Sequence, residues 1–225
     1  MALISRDGSL HLEAANDISD QSFRCYMCLG TVKANQARSH VATHILKSMR
    51  GVEEELPGSN VASMPCGFCG RSGAPGCSEV YLTKGNSPQA QGNCAHAHKF
   101  QYQPALKVTS STPSTNVPIL CTIQGCTGFV GSLRTAVWKY NMPEHIRICH
   151  PQYSPDGLTD GAPLPADLAS RMLITYQEEL LVGIPEDKIP LQSAATAPNT
   201  TTLTLPATRN SIRLSGCPPA KRRKV

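Results

Sequence analysis

The sequence predicts a small α+β protein built as several cross-linked modules, with disordered linkers and a disordered C-terminal tail. Its 225 residues are only 5% aromatic, and 18 prolines with 17 glycines interrupt hydrophobic periodicity, which argues against one large apolar core. Ten cysteines and seven histidines supply an alternative source of cohesion. Small domains that bury little apolar surface need covalent or metal cross-links. The opening "MALISRDGSL" lacks the apolar run of a signal peptide, and no window reaches the roughly 18 apolar residues of a membrane span. An intracellular chain is therefore expected, in which C-x2-C spacings point to zinc rather than to disulfides.

The first module is expected at residues 23–46, behind an N-terminal leader at 1–22. Its stretch "FRCYMCLGTVKANQARSHVATHI" contains Cys25-x2-Cys28-x11-His40-x3-His44. Two thiolates on a tight turn and two imidazoles one helical turn apart can close a tetrahedron around Zn2+. The second module, at 64–104 after a linker at 47–63, reads as a zinc knuckle with Cys66, Cys69, Cys94 and His98 as ligands. Cys77 is the alternative ligand there, and His96 would point elsewhere on a regular helix. The third, at 119–152 after a linker at 105–118, offers Cys121-x4-Cys126-x18-His145-x4-His150, with Cys149 competing for the last position. About three zinc ions per chain are expected, each held by four protein ligands. About twenty residues between clusters should insulate each module from the next. Trp138 and Tyr140 are expected to wall the small core of the third module.

Residues 23–45 resemble the Cys2His2 zinc-finger family, with Phe23 two residues before the first cysteine. The Cys-to-His loop is one residue short, Thr31 or Val32 stands for the usual loop aromatic, and Ala37 stands for the usual helix leucine. That resemblance implies Lys33, Gln36 and Ser39 as candidate base contacts on the helix. Over residues 60–185, "PCGFCGRSG", "HKFQYQPA", "TNVPILC", "VWKYNMPEH" and "CHP" resemble a lineage-expanded group of Cys2His2-type proteins of mushroom-forming fungi. This wider resemblance implies zinc and nuclear residence more than any one activity, and with the group's frequent proximity to DNA-transposon genes a role in transcription or transposon-linked regulation is expected. Ser114 stands where the group's pattern has a cysteine, so no ligand is expected there.

Charge falls in blocks. Residues 24–50 carry five Lys/Arg and no acid, residues 60–150 seven against two, and residues 151–200 two against seven acids. A single helix is expected over 167–182 within an acidic segment at 153–188, because Leu168, Met172, Tyr176 and Leu180 recur at i+4. It would pack on the third module or hold a protein partner. The tail at 189–225 is Thr/Ala/Pro/Ser-rich and ends in "PPAKRRKV", which resembles a single-cluster nuclear localisation signal at Lys221, Arg222, Arg223 and Lys224 that an import carrier would bind. No Ser/His/Asp, P-loop or metalloprotease pattern is present, so enzymatic activity is not expected. A nuclear protein that binds nucleic acid, DNA above all, is the first expectation; a zinc-stabilised protein-interaction module is the competing one.

Overall fold

The computed structural model describes residues 22–194, apart from Ser78, Thr127 and residues 155–160. The leader at 1–21, the tail from 195 onward and the cluster Lys221, Arg222, Arg223 and Lys224 lie outside the described residues. Strands β1 (Ser22–Arg24) and β2 (Thr31–Lys33) pair antiparallel, with Phe23 opposite Val32. Helix α1 (Ala34–Met49) follows at once, free of Gly and Pro along its whole length. Nine of its sixteen residues are buried, and they occupy more than one face: Ala34, Ala37, Val41 and Ile45 on one side, Ala42 and Leu46 on another. Such a helix is an internal beam.

The centre of the protein is an antiparallel sheet in the order β4 (Ala90–Gly92), β3 (Val80–Thr83), β7 (Leu133–Trp138), β5 (Pro118–Ile119). Strand β6 (Phe129–Val130) joins the outer half of β7 as a hairpin, with Phe129 opposite Arg134. Period-2 alternation puts Val80 and Leu82 of β3 inward, and Ala136 and Trp138 of β7 with them. A single turn, α2 (Tyr102–Ala105), precedes β5, and α3 (Met142–Cys149) follows β7. A short parallel pair, β8 (Tyr153–Ser154) with β9 (Ala162–Pro163), leads to helices α4 (Ala166–Met172), α5 (Tyr176–Val182) and α6 (Leu191–Ala194).

The expected single helix over 167–182 is two helices. Thr175 caps α5 by accepting the Glu178 N–H at 3.2 Å, and the break between α4 and α5 lets Ile174 reach the core. Nor are the modules insulated. One apolar cluster unites Phe23, Met27, Val41 and Ile45 with Phe68, Val80, Leu82 and Trp138, and with Ile174, Val182 and Ile184 behind α5. Trp138 therefore belongs to the second module's core, 4.9 Å edge-to-face from Phe68, rather than to the third's. Gly67 makes that contact possible: a Cβ there would stand 2.3 Å from the Trp138 ring. A second cluster, with Val117, Ile119, Met142, Ile146 and Leu168, serves the third module.

The C-terminal end of the expected linker at 105–118 is interior. Ser114, Thr115, Asn116 and Val117 are buried, and Thr115 meets the fully buried carboxylate of Glu178 through its N–H at 2.6 Å and its hydroxyl at 2.7 Å. Tyr140 donates to the same carboxylate at 2.5 Å, and the Lys139 ammonium lies 3.8 Å away. Asn116 accepts the Tyr140 N–H and its carbonyl accepts from Arg38 of α1, tying four segments together. Burial pushes the Arg38 guanidinium down to about 10, with Tyr140 and Glu178 acting in the opposite direction. Beside Glu178, the buried Glu179 takes both Arg50 Nε and Nη2 and the Ser193 hydroxyl. Removing one member of such a buried pair strands the other, at a cost of about 3 kcal/mol or more. Glu179→Ala should therefore lower the urea midpoint of the metal-loaded protein strongly. Arg171→Ala, which opens a half-exposed pair with Asp167, should change the unfolding free energy by less than about 0.5 kcal/mol. Equal shifts would mean that α5 is held by its apolar side chains alone.

Candidate metal centres

Three sets of four side chains bring one ligand atom each to within 4.8 Å of one another: Cys25, Cys28, His40 and His44; Cys66, Cys69, Cys77 and Cys94; Cys121, Cys126, His145 and His150. A tetrahedron with metal–N bonds of about 2.0 Å and metal–S bonds of about 2.3 Å has edges of roughly 3.3 to 3.8 Å. The closest approaches in the three sets run from 3.2 to 3.6 Å. The residues thus fit a four-coordinate ion.

In the first centre the cysteines sit on a turn closed by Cys25 N–H to Gly30 O at 2.9 Å and Leu29 N–H to Cys25 O at 3.0 Å. Leu29 has φ +58°, a conformation that costs a side-chain-bearing residue about 1 kcal/mol and that the turn imposes. His40 and His44 lie one turn apart on α1, their Nε2 atoms 3.3 Å from each other, with His40 also 3.3 Å from the Cys28 sulfur. Burial, reinforced by His44, holds the His40 imidazole below its ordinary value and so keeps it neutral, as a ligand must be. The His44 ring places Nδ1 2.9 Å from Glu54, whose other oxygen takes Lys47 at 3.1 Å. A carboxylate on the far nitrogen fixes the ring's orientation and tautomer. Burial raises the Glu54 carboxyl, but His44 and Lys47 outweigh it and hold the group below its usual range. Glu54 of the acidic run at 53–55 thus supports the centre, although the run's composition reads as a spacer.

The second centre is all sulfur, and here the expected ligand set changes: Cys77 stands where His98 was expected. The knuckle repeats the first one, with Cys66 N–H to Arg71 O at 2.9 Å and Gly70 N–H to Cys66 O at 2.7 Å, the left-handed position now being a glycine at φ +78°. Cys77 arrives on its own turn, closed to Ala74 O at 3.0 Å, and its sulfur lies 3.6 Å from that of Cys69. Gly76 has φ +76°, and a Cβ there would meet the Asn93 carbonyl at 2.8 Å, so only glycine lets this turn lie against the Cys94 strand end. The i, i+4 spacing of Cys94 and His98 does not apply because the chain makes one turn at Cys94 and then extends. His98 packs against Phe68 instead, with Nδ1 on the His96 carbonyl at 3.2 Å. His96 bridges modules: its Nε2 meets the Tyr26 hydroxyl at 3.0 Å and its ring stands 4.9 Å from Phe23. Hydrogen bonds from Cys66 and Cys94 hold Cys69 well below the usual thiol range, and the same bond between Cys66 and Cys69 pushes Cys66 up to about 12. Arg71, stacked 4.3 Å over Tyr26, adds positive charge beside this sulfur set.

In the third centre Cys121 and His150 approach to 3.5 Å and Cys126 and His145 to 3.2 Å. His150 ends α3, its N–H on Ile146 O at 2.8 Å, whereas Cys149 is exposed and outside the set. Burial pushes Cys126 up to about 12 and lowers His145.

The nucleic-acid contact candidates fare unevenly. Lys33 and Gln36 are exposed, but Ser39 is buried under the protein's own packing. Three of the five cations of residues 24–50 are engaged inside: Arg38 with Asn116, Lys47 with Glu54, Arg50 with Glu179. The ligand exchange in the second centre gives a direct check. Cys77→Ser should lower the metal count in native mass spectrometry by one, while His98→Ala should retain three; the reverse result would restore the expected set. Compared with known families, characterised proteins and solved structures, the chain gives no match.

Proposed function

We propose that this is a non-catalytic nuclear protein that three zinc ions hold in shape and that binds nucleic acid, DNA in the first instance, in transcriptional or transposon-linked regulation. Zinc suits the donor sets, since two groups of paired cysteines and histidines and one all-cysteine group are those that structural zinc favours. The observation that carries the nucleic-acid reading is a gap in the distribution of acid. Residues 80–143 contain no Asp or Glu and five cations, Lys84, Lys99, Lys107, Arg134 and Lys139, of which Lys84, Lys99 and Lys107 are exposed. Unlike Lys47 and Arg50, these three form no ion pair among the described residues. The tail adds six more cations, and its Lys221, Arg222, Arg223 and Lys224 would engage an import carrier.

One feature favours the protein-interaction reading instead: a groove of about 830 Å³ alongside α4 and α5, with Leu106, Leu173 and Leu180 on its surface. Salt separates the two readings. The zinc-loaded full chain should bind a fluorescein-labelled oligonucleotide with log K falling against log salt at a slope of about −2 to −3, as for a handful of phosphate contacts. A flat response, or no binding at low salt, would hand the function to the groove. Alanine at all four of Lys221, Arg222, Arg223 and Lys224 should leave a tagged, fusion-enlarged protein in the cytoplasm with its metal content unchanged. Nuclear accumulation of that variant would place the import signal elsewhere.

A further inference from the structure

Double-stranded DNA is read by an element that enters a groove, most often a helix with one free face. Helix α1 is the longest among the described residues, and it is packed on two sides with Ser39 inside. The acid-free stretch 80–143 has a different relief. The turn between β3 and β4 and the stretch 99–104 enclose an open cleft of about 490 Å³, within the size range of pockets that accept small ligands. Its walls carry Lys99, Phe100, Gln101, Tyr102, Gln103 and Gln89.

The alternation in "KFQYQ" sorts these side chains. Lys99, Gln101 and Gln103 are exposed, and Phe100 and Tyr102 are half-buried between them. The two rings lie 22° from parallel with centroids 6.5 Å apart. Both are braced from behind: the Arg38 guanidinium stands 5.0 Å over Phe100, and the Tyr102 hydroxyl donates to the Pro118 carbonyl at 2.6 Å. Rings fixed in advance lose little freedom when a ligand stacks on them. Glutamine amides add both donors and acceptors, the chemistry that base edges require, and Lys99 supplies a phosphate contact.

The same turn leads, through Lys84, to a second aromatic. Phe129 on β6 is 60% exposed, has the Lys84 ammonium 5.1 Å over its ring and faces Arg134 across the hairpin. Aromatic faces interleaved with cations and free of carboxylates are what a single strand, with bases unstacked and phosphates on its outside, can use. A duplex keeps its base faces hidden.

We propose that the strip running from Phe129 and Lys84, over the turn at residues 84–89, to Lys99 with Phe100 and Tyr102 binds single-stranded nucleic acid, bases against the rings and phosphates against the lysines. This rests on the nucleic-acid reading above and moves its interface from α1 to the sheet edge. Recognition through base faces and phosphates is blind to the sugar, so DNA and RNA strands of equal length should bind alike.

The test uses the zinc-loaded full chain with Lys221, Arg222, Arg223 and Lys224 replaced by alanine, which takes the contiguous tail cations out of the measurement. The probe is fluorescein-labelled oligothymidylate of about twelve nucleotides, a span that one single-strand-binding module covers. Phe129→Ala should weaken binding about tenfold with an unchanged salt slope. Lys99→Glu should weaken it at least as much and reduce the slope by about one. Oligouridylate should match oligothymidylate within about threefold, and a duplex of the same length should bind at least about tenfold more weakly. Metal content and near-ultraviolet circular dichroism confirm that each variant is folded. If Lys33→Glu weakens binding while Lys99→Glu and Phe129→Ala do not, or if the duplex binds as well as the single strand, this interface is overturned and the nucleic-acid reading survives. If only the chain with its native tail binds, this interface is overturned and the nucleic-acid reading survives in the tail; if neither chain binds even at low salt, both fall together, and a protein ligand takes their place.

Discussion

The rest of this structure is arranged around three sets of four Cys and His side chains, eight of the twelve buried, each of which could hold a metal ion. Four thiols in one site cannot all hold or all lose their protons at ease: Cys66 is driven up to about 12 while Cys69 is driven far down. A divalent ion held there would take the place of the protons. The free energy of a structural zinc site, about 10 kcal/mol or more, is comparable with the entire net stability of an ordinary domain. The ligands are themselves core residues. Cys25, Cys66, Cys69, Cys77 and Cys94 lie in the same apolar cluster as Phe68 and Trp138, so coordination and packing position one another.

Beyond the metal centres, carboxylates organise what apolar surface cannot. Glu178 and Glu179 are adjacent in the chain and both fully buried, one held by Thr115, Tyr140 and Lys139, the other by Arg50 and Ser193. Between them they fasten α5 to α1 and to the β5–β7 region. Two acids of the 151–200 block are therefore partners in the fold of cations from the basic blocks. Counting residues 24–50 as +5 overstates the charge available to a ligand, because Arg38, Lys47 and Arg50 are engaged internally.

How much was legible follows from how local each signal is. Cys25, Cys28, His40 and His44 obey a turn and a helical period, both written within twenty residues, and they assemble as their spacing says. Cys121, Cys126, His145 and His150 do the same over a longer loop. Cys77 escapes spacing rules because it meets Cys94 only through the close approach of Gly76 to Asn93, a long-range contact. The helix break was present in the sequence as Thr175-x-x-Glu178, a capping pattern that the i+4 leucine periodicity overshadowed. Residues 105–118 look like a linker because they are polar. Polar residues such as Thr115 can be interior where they find a partner, and the partner of Thr115 lies sixty-three residues away.

The shared core also governs how this protein can vary over generations. Arrays of separate fingers can be lengthened or shortened by recombination, since each finger leaves its neighbours' packing intact. Here Met27 of the first knuckle would touch any side chain added at Gly70 of the second, and the Phe23 ring rests on His96. Excising residues 23–45 would open the floor of the second centre to water and take away the helix against which α5 is seated. Shuffling at the apparent finger boundary between the first two centres would break this packing, so those two are bound to vary together.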